Sequence, residues 1–477
     1  MVGKSFLYEQ VAGKIEDLIS KLNLRGGDKI PSVRTVSKEM GVSINTVFQA
    51  YSILEGKGLI VSRPRSGYII NTFSDSILIP NKIIKSSPPA TVEVTAMATA
   101  MMKNAKENGI VNFSILAPVN EHLPITKLNK AVNASLTLLS SDNFQYPLVD
   151  GHPRLLKQIA RRTLDWDIPL SVDDIVVTNG CMEAINLCLD AVTKPGDIVA
   201  VESPTYHGIL QSLESRGLKA LEITTDSVTG LSLDHLKEAL QEHQISACVF
   251  MPTCHNPTGA SMSDANKIEL VKLLGALQIP LIEDDSLGEL NFKTPRSLPA
   301  KAFDNYNNVL YCSSFSKTLA PGFRIGWVSA GKYQSQLERL KFGSNISTNP
   351  VLQDAIGRYL ESGHYDGHIR KLRIELQGQM IKYVSAISKQ FPKDIRLSIP
   401  QGGLSIWIEL PENKDAFALQ QAALEKGIGI CPGHIFSTSD FYHHYVRINY
   451  CPLWNSKTEN AIIVLGKLVM NLKPDSI

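Results

Sequence analysis

The chain has 477 residues, 43% of them apolar and 20% charged, with a formal net charge of +2; that length exceeds one ordinary core, so two or more domains are expected. It has no run of 18 apolar residues, and its first residues lack an apolar signal core, which argues against a membrane-spanning helix and a secretory leader. Seven cysteines without a CxxC pair argue against a zinc site or a disulfide framework, so no metal site and a cytoplasmic location are expected.

Charge is unevenly placed. Residues 1–73 hold 10 Lys/Arg against 6 Asp/Glu, and the remainder holds 38 against 40. A basic module of that size suits a polyanion. Within it, Tyr8 to Leu24 reads as an amphipathic helix with Val11, Ile15, Leu18, Ile19 and Leu22 on one stripe. Ser32 is a candidate N-cap for a short helix to Met40, and Gly41 suits a left-handed helix end. Ser43 caps the next helix, through about Lys57. Two short helices around a Gly-containing turn make a helix-turn-helix candidate. Leu59–Val61 and Tyr68–Ile70 are β-rich and flank Ser62-Arg-Pro-Arg-Ser-Gly67, a hairpin with two cations at its tip.

The run Pro31-Ser-Val-Arg-Thr-Val-Ser-Lys-Glu-Met-Gly-Val-Ser-Ile-Asn-Thr-Val47 resembles the winged helix-turn-helix of the GntR family, and the resemblance covers nearly all of residues 5–71. It implies binding to double-stranded operator DNA. Ser43, Asn45 and Thr46 would meet phosphates and base edges; Arg34, Arg63 and Arg65 would neutralise phosphates or enter a groove. Many family members carry arginines where Ile44 and Phe48 stand here. One module reads few base pairs, so two copies on repeated half-sites are expected.

Residues 74–108 are expected to form a linker, interrupted by Pro88-Pro89, with a short helix over about Val92–Asn108.

From residue 109 onward, β-like runs alternate with helical patterns. Ile175–Thr178, Ile198–Val201, Ala247–Met251, Leu281–Glu283 and Val309–Cys312 read as buried strands; Glu183–Val192 and Ser263–Leu277 read as helices. The alternation predicts an α/β domain with a mostly parallel sheet, whose ligands bind at strand carboxyl ends. The most telling stretch is Ser313-Ser-Phe-Ser-Lys-Thr-Leu-Ala-Pro-Gly-Phe-Arg324. It sets Lys317 among hydroxyls, with Arg324 seven positions on. A lysine amine can form a Schiff base with an aldehyde, while hydroxyls and a guanidinium hold a phosphate. The adjacent His443 and His444 are expected to point apart on a strand, which disfavours a shared metal.

Residues 110–470 resemble the fold-type I aminotransferases that depend on pyridoxal 5'-phosphate (PLP). The resemblance implies that Lys317 bonds covalently to PLP. It implies that Gly180, Cys181 and Met182, in Thr178-Asn-Gly-Cys-Met-Glu, offer backbone N–H groups to the phosphate, with Ser314, Ser316 and Arg324. Tyr206 would stack on the pyridine ring, Asn256 of His255-Asn-Pro-Thr-Gly259 would donate to the phenolic oxygen, and Asp284 would pair with the ring nitrogen. Arg447 would clamp a substrate carboxylate, and Tyr146 would reach the neighbouring subunit's phosphate, implying a homodimer. Relatives usually carry tyrosine where Leu287 stands; leucine cannot donate a hydrogen bond, so altered tuning of the lysine–cofactor bond and reduced catalysis are expected.

A GntR-type head (1–73), linker (74–108) and aminotransferase-like body (109–477) together resemble the MocR subfamily of bacterial regulators, as do Arg63-Pro-Arg-Ser-Gly-Tyr and Gly322-Phe-Arg-Ile-Gly-Trp. The resemblance implies a PLP-dependent transcriptional regulator that senses an amine or amino acid through an external aldimine. The alternative is an active aminotransferase with an accessory DNA-binding domain. A third is a binding protein with a degenerate cofactor site.

Overall fold

The computed structural model describes residues 7–21, 28–56, 60–63, 67–70, 77–83, 87–95, 99, 109–137, 149–293 and 295–473. Its amino-terminal unit contains helices Leu7–Lys21, Val33–Met40 and Ile44–Gly56, followed by the antiparallel hairpin Ile60–Arg63 with Gly67–Ile70. Local chemistry explains the two short helices. Ser32 Oγ accepts from Thr35 N at 3.2 Å, and Gly41 takes φ 63°, where a side chain would be strained. Ser43 Oγ accepts from Thr46 N at 3.1 Å. Val11, Ala12, Ile15, Val36, Val47, Tyr51, Leu54 and Ile70 form the core of this unit. Leu18 departs from the expected stripe and is 37% exposed; Ala12 faces the core. Leu22, also assigned to that stripe, lies outside the described residues.

In the body, a mixed sheet runs in the order Ala90–Thr91, Lys219–Asp226, Ile198–Ser203, Ile245–Phe250, Leu281–Asp284, Val309–Ser314, Gly326–Ser329, Val176–Thr178. The five strands from Lys219–Asp226 to Val309–Ser314 pair in parallel. Their carboxyl ends therefore share one edge, where ligands of such sheets bind. Gly326–Ser329 pairs antiparallel with both Val309–Ser314 and Val176–Thr178, so Thr178 also ends at that edge. Both faces of the sheet carry apolar clusters under helices such as Cys181–Val192 and Asp264–Ala276. A smaller antiparallel sheet holds Arg396–Leu397, Ser405–Glu409, Tyr445–Asn449 and Cys431–Pro432. The long helix His364–Gln390 packs into the cluster behind it.

The segment read as a linker is bonded to the body over several of its described stretches. Leu78 bridges Arg396, and Asn81 donates from its backbone N and Nδ2 to the Glu409 carboxylate, each at 2.7 Å. Ala90–Thr91 adds an edge strand to the main sheet. Glu214 accepts from Val94 N, Thr95 N and Thr95 Oγ1. Most of the helix expected over Val92–Asn108 lies outside the described residues. His443 and His444 are not on a strand. They occupy the turn before Tyr445–Asn449, and their rings pack 4.6 Å apart. Among the described residues, no helix is long and apolar enough to cross a membrane.

Candidate cofactor and effector site

The carboxyl edge of the sheet gathers the predicted residues from segments far apart in the chain. Gly180 precedes the helix Cys181–Val192 with φ 82° and no side-chain cap, which leaves the first N–H groups of that helix free to meet an anion. Arg324 lies against this turn. Its Nη2 donates to Asn179 O at 3.1 Å and its Nη1 to Ser316 Oγ at 3.3 Å. Close approach requires glycine twice. A Cβ on Gly180 would meet Arg324 Nη2 at 2.3 Å, and one on Gly326 would meet the Gly180 carbonyl carbon at 2.5 Å. Ser314 ends its strand beside this turn. Gly180→Ala is therefore expected to push the guanidinium off the turn. PLP affinity should fall by about 10- to 100-fold, the worth of a charged hydrogen bond; titration of the visible absorption band checks this, and unchanged affinity would contradict it.

Asp284 ends the strand Leu281–Asp284 and is buried. Its Oδ1 accepts from Ser286 N at 2.9 Å and from Cys181 Sγ at 3.4 Å. Burial raises its pKa, and those donors offset part of the rise. Cys181 thus turns its thiol to Asp284, and burial holds that thiol well above its ordinary pKa. Tyr206 follows the strand Ile198–Ser203; a Cβ on Gly208 would strike its ring at 2.5 Å, so glycine there gives the ring its place.

Lys317 Nζ donates to Leu116 O. Burial, then the Arg447 guanidinium, lowers its pKa to about 8, which favours a free amine far more than in water. Arg447 is buried in the strand Tyr445–Asn449. Its Nη1 donates to Asn256 Oδ1 at 3.1 Å, its Nη2 to Ser114 O, and its guanidinium lies 5.1 Å from the Phe436 ring centre. Arg447 Nε is buried, with no partner among the described residues. Behind Asn256, burial lowers the pKa of His255 to about 3 and raises that of Glu202 to about 8, which favours the neutral form of each.

Several neighbours gave no signal in the sequence. His207 is lowered to about 4 by burial and by Arg447. The carbonyls of Ser114 and Leu116 reach Arg447 and Lys317 because Asn112 Oδ1 and Asn449 Nδ2 hold that loop. Leu287 is buried and apolar, as the sequence requires. Tyr146 and Arg65 lie outside the described residues, as does the side chain of Arg63. On the amino-terminal unit, Arg34, Ser43 and Asn45 are exposed and Thr46 is partly so.

The charges test whether a phosphate-bearing aldehyde fits. Among the described residues, Arg324 and Arg447 have no carboxylate partner, and Asp284 has no cationic one. Arg447 and Asp284 are buried, and unpaired buried charges are costly, while Arg324 is exposed at the open turn; such a set calls for a ligand. A phosphate at the uncapped turn, a protonated ring nitrogen at Asp284 and a second anion at Arg447 would satisfy all three. The residues fit PLP with a carboxylate-bearing amine.

Known proteins agree with both halves. Residues 7–70 match the profile of bacterial regulatory proteins of the gntR family, and residues 109–465 that of aminotransferase class I and II. The chain is 37% identical over 463 residues to the uncharacterized HTH-type transcriptional regulator YdcR of Escherichia coli, covering 97% of this chain and 98% of the relative. Among solved structures, the multiple substrate aminotransferase of Thermococcus profundus superposes with a TM-score of 0.74 at 26% identity, over 80% of this chain and 97% of that one. The kynurenine aminotransferase of Pyrococcus horikoshii, solved in complex with PMP, gives 0.73 at 26% identity, over 78% and 94%.

Proposed function

Because the chain belongs to the MocR subfamily of GntR-family regulators, with a body of the aminotransferase class I and II family, we propose that it is a PLP-dependent transcriptional regulator whose DNA affinity responds to an amine or amino acid. The supporting observation is the charge inventory of the sheet edge. Among the described residues, two guanidiniums without carboxylates and one carboxylate without a cation surround Lys317, whose pKa is lowered.

When bound, PLP supplies an aldehyde that bonds reversibly to primary amines. Arg324, Ser314, Ser316 and the N–H groups of Gly180, Cys181 and Met182 would hold its phosphate. Asp284 would keep a proton on the ring nitrogen, Asn256 would meet the phenolic oxygen, and Tyr206 would cover the ring. Lys317 contributes the amine of the resting protein. Arg447 receives the effector's carboxylate in two parallel hydrogen bonds, which fixes the position of the effector's amine. A homodimer would supply Tyr146 from its second copy and pair the two heads on operator half-sites. Operator binding would require a cytoplasmic location.

A ligand shifts DNA binding only if it favours one body state over another. The docked linker offers a route. Glu409, which grips Asn81, lies opposite Tyr445 on the strand that carries Arg447.

The second reading, a working aminotransferase, is favoured by Lys317, Asp284 and Arg447 standing together. Leu287 stands against it, since no side-chain donor occupies that position. Mixing the PLP-loaded protein with amino acids and keto acids separates the two. The regulator reading predicts less than one turnover per minute, whereas many turnovers per minute would support the enzyme.

A further inference from the structure

The helix Ile44–Gly56 contains no lysine or arginine. The commonest specific contact to guanine, a bidentate pair to O6 and N7, comes from those two residues. The outward face carries other chemistry. Ile44 is 56% exposed and Phe48 53% exposed. Asn45 and Gln49 are exposed beside them. The two apolar side chains stand four residues apart, as do the two amides, so they form neighbouring ridges on one face. The opposite face, with Val47, Ala50, Tyr51 and Leu54, already fills the core of this unit. Ile44 and Phe48 therefore add nothing to that core, and an exposed apolar pair on a small basic unit points to an interaction surface.

The cations lie elsewhere. Arg34, on the preceding helix, is exposed and has no carboxylate partner among the described residues. All the positive excess of residues 1–73 falls outside Ile44–Gly56. Phosphate attraction and base reading are thus divided between different elements.

Resting on the DNA-binding reading above, we infer that this helix reads A·T pairs in the major groove of double-stranded DNA. Ile44 and Phe48 pack on thymine C5-methyl groups, and the amides of Asn45 and Gln49 pair with N6 and N7 of adenine.

The test begins with selection of duplexes from a random pool by the full-length, PLP-loaded protein. The affinity of the selected duplex is then measured with single thymines replaced by deoxyuridine, which removes only the methyl group. The expected half-site is A·T at the positions facing the helix. Each sensitive thymine should cost about fourfold in affinity when replaced, the worth of one buried methyl-sized group. Ile44→Ala and Phe48→Ala should each abolish that sensitivity at one position while keeping the wild-type salt dependence, with folding checked by thermal melting. Phe48→Arg should move one position toward guanine. Half-sites with G·C at those positions, or selective binding indifferent to every replacement, would overturn the inference while leaving DNA binding intact. A protein that retains no duplex even at low salt would contradict the DNA-binding reading itself.

Discussion

Lys317→Ala is expected to leave a folded protein that gains no covalent label when PLP is added and borohydride reduces the mixture. The loss should be complete, because among the described residues no other amine is assigned to this edge. Wild-type protein should show a visible band, and peptide mapping after reduction should find the label on Lys317. The fold should tolerate the change, since among the described residues the amine bonds only the Leu116 carbonyl. A pH signature accompanies it. The native pKa is lowered from 10.5 to about 8. Below pH 8 both folded and unfolded chains carry the proton, and the native state bears the full cost of the buried charge. From pH 8 to 10.5 the unfolded chain binds more protons, so stability rises with pH. That rise in the cofactor-free protein should vanish in Lys317→Ala. A borohydride-stable label on the variant, or on another lysine of the wild-type protein, would refute the assignment.

Arg447→Ala should separate ligands by chemistry. Removing one partner of a buried, hydrogen-bonded charge pair costs about 2–5 kcal/mol, roughly 30-fold to several thousandfold in affinity. Amino acids should lose that much, whereas amines without a carboxylate should change little. Arg447→Lys should not rescue, because an ammonium cannot form two parallel bonds to a carboxylate. Spectral titration of the PLP-loaded variants with an amino acid and its decarboxylated amine gives both values. Equal losses for the two ligands would show that Arg447 does not face the carboxylate.

The legible parts of this protein are those written locally. The caps at Ser32, Gly41 and Ser43 are short-range hydrogen bonds and a glycine conformation, and they appear where the spacing requires them. The cluster from Ser314 to Arg324 lies within one stretch of chain, so its chemistry was visible in advance. Strand existence followed from β-rich apolar runs, although Ile198–Ser203 and Val309–Ser314 run two residues further than expected and Val176–Thr178 starts one residue later. What stayed hidden depends on distant contacts. Asn81 and Glu409 are 328 positions apart, and no local pattern distinguishes a docked segment from a free tether. The Ser114 carbonyl that meets Arg447 is a main-chain atom with no sequence signature, 333 positions away. Leu18 was placed on the buried stripe by period alone; packing selected Ala12. The two histidines were read as part of a strand that begins one residue after them.

The most direct test of the whole account is an operator-binding titration of PLP-loaded protein, with and without a panel of amino acids and amines, run in parallel on Lys317→Ala. The account predicts that at least one ligand shifts the operator affinity of the wild-type protein about fivefold or more, in the range of typical allosteric couplings, and that Lys317→Ala binds the operator with no response to that ligand. An identical shift in Lys317→Ala, or wild-type affinity unmoved across the panel, would contradict it.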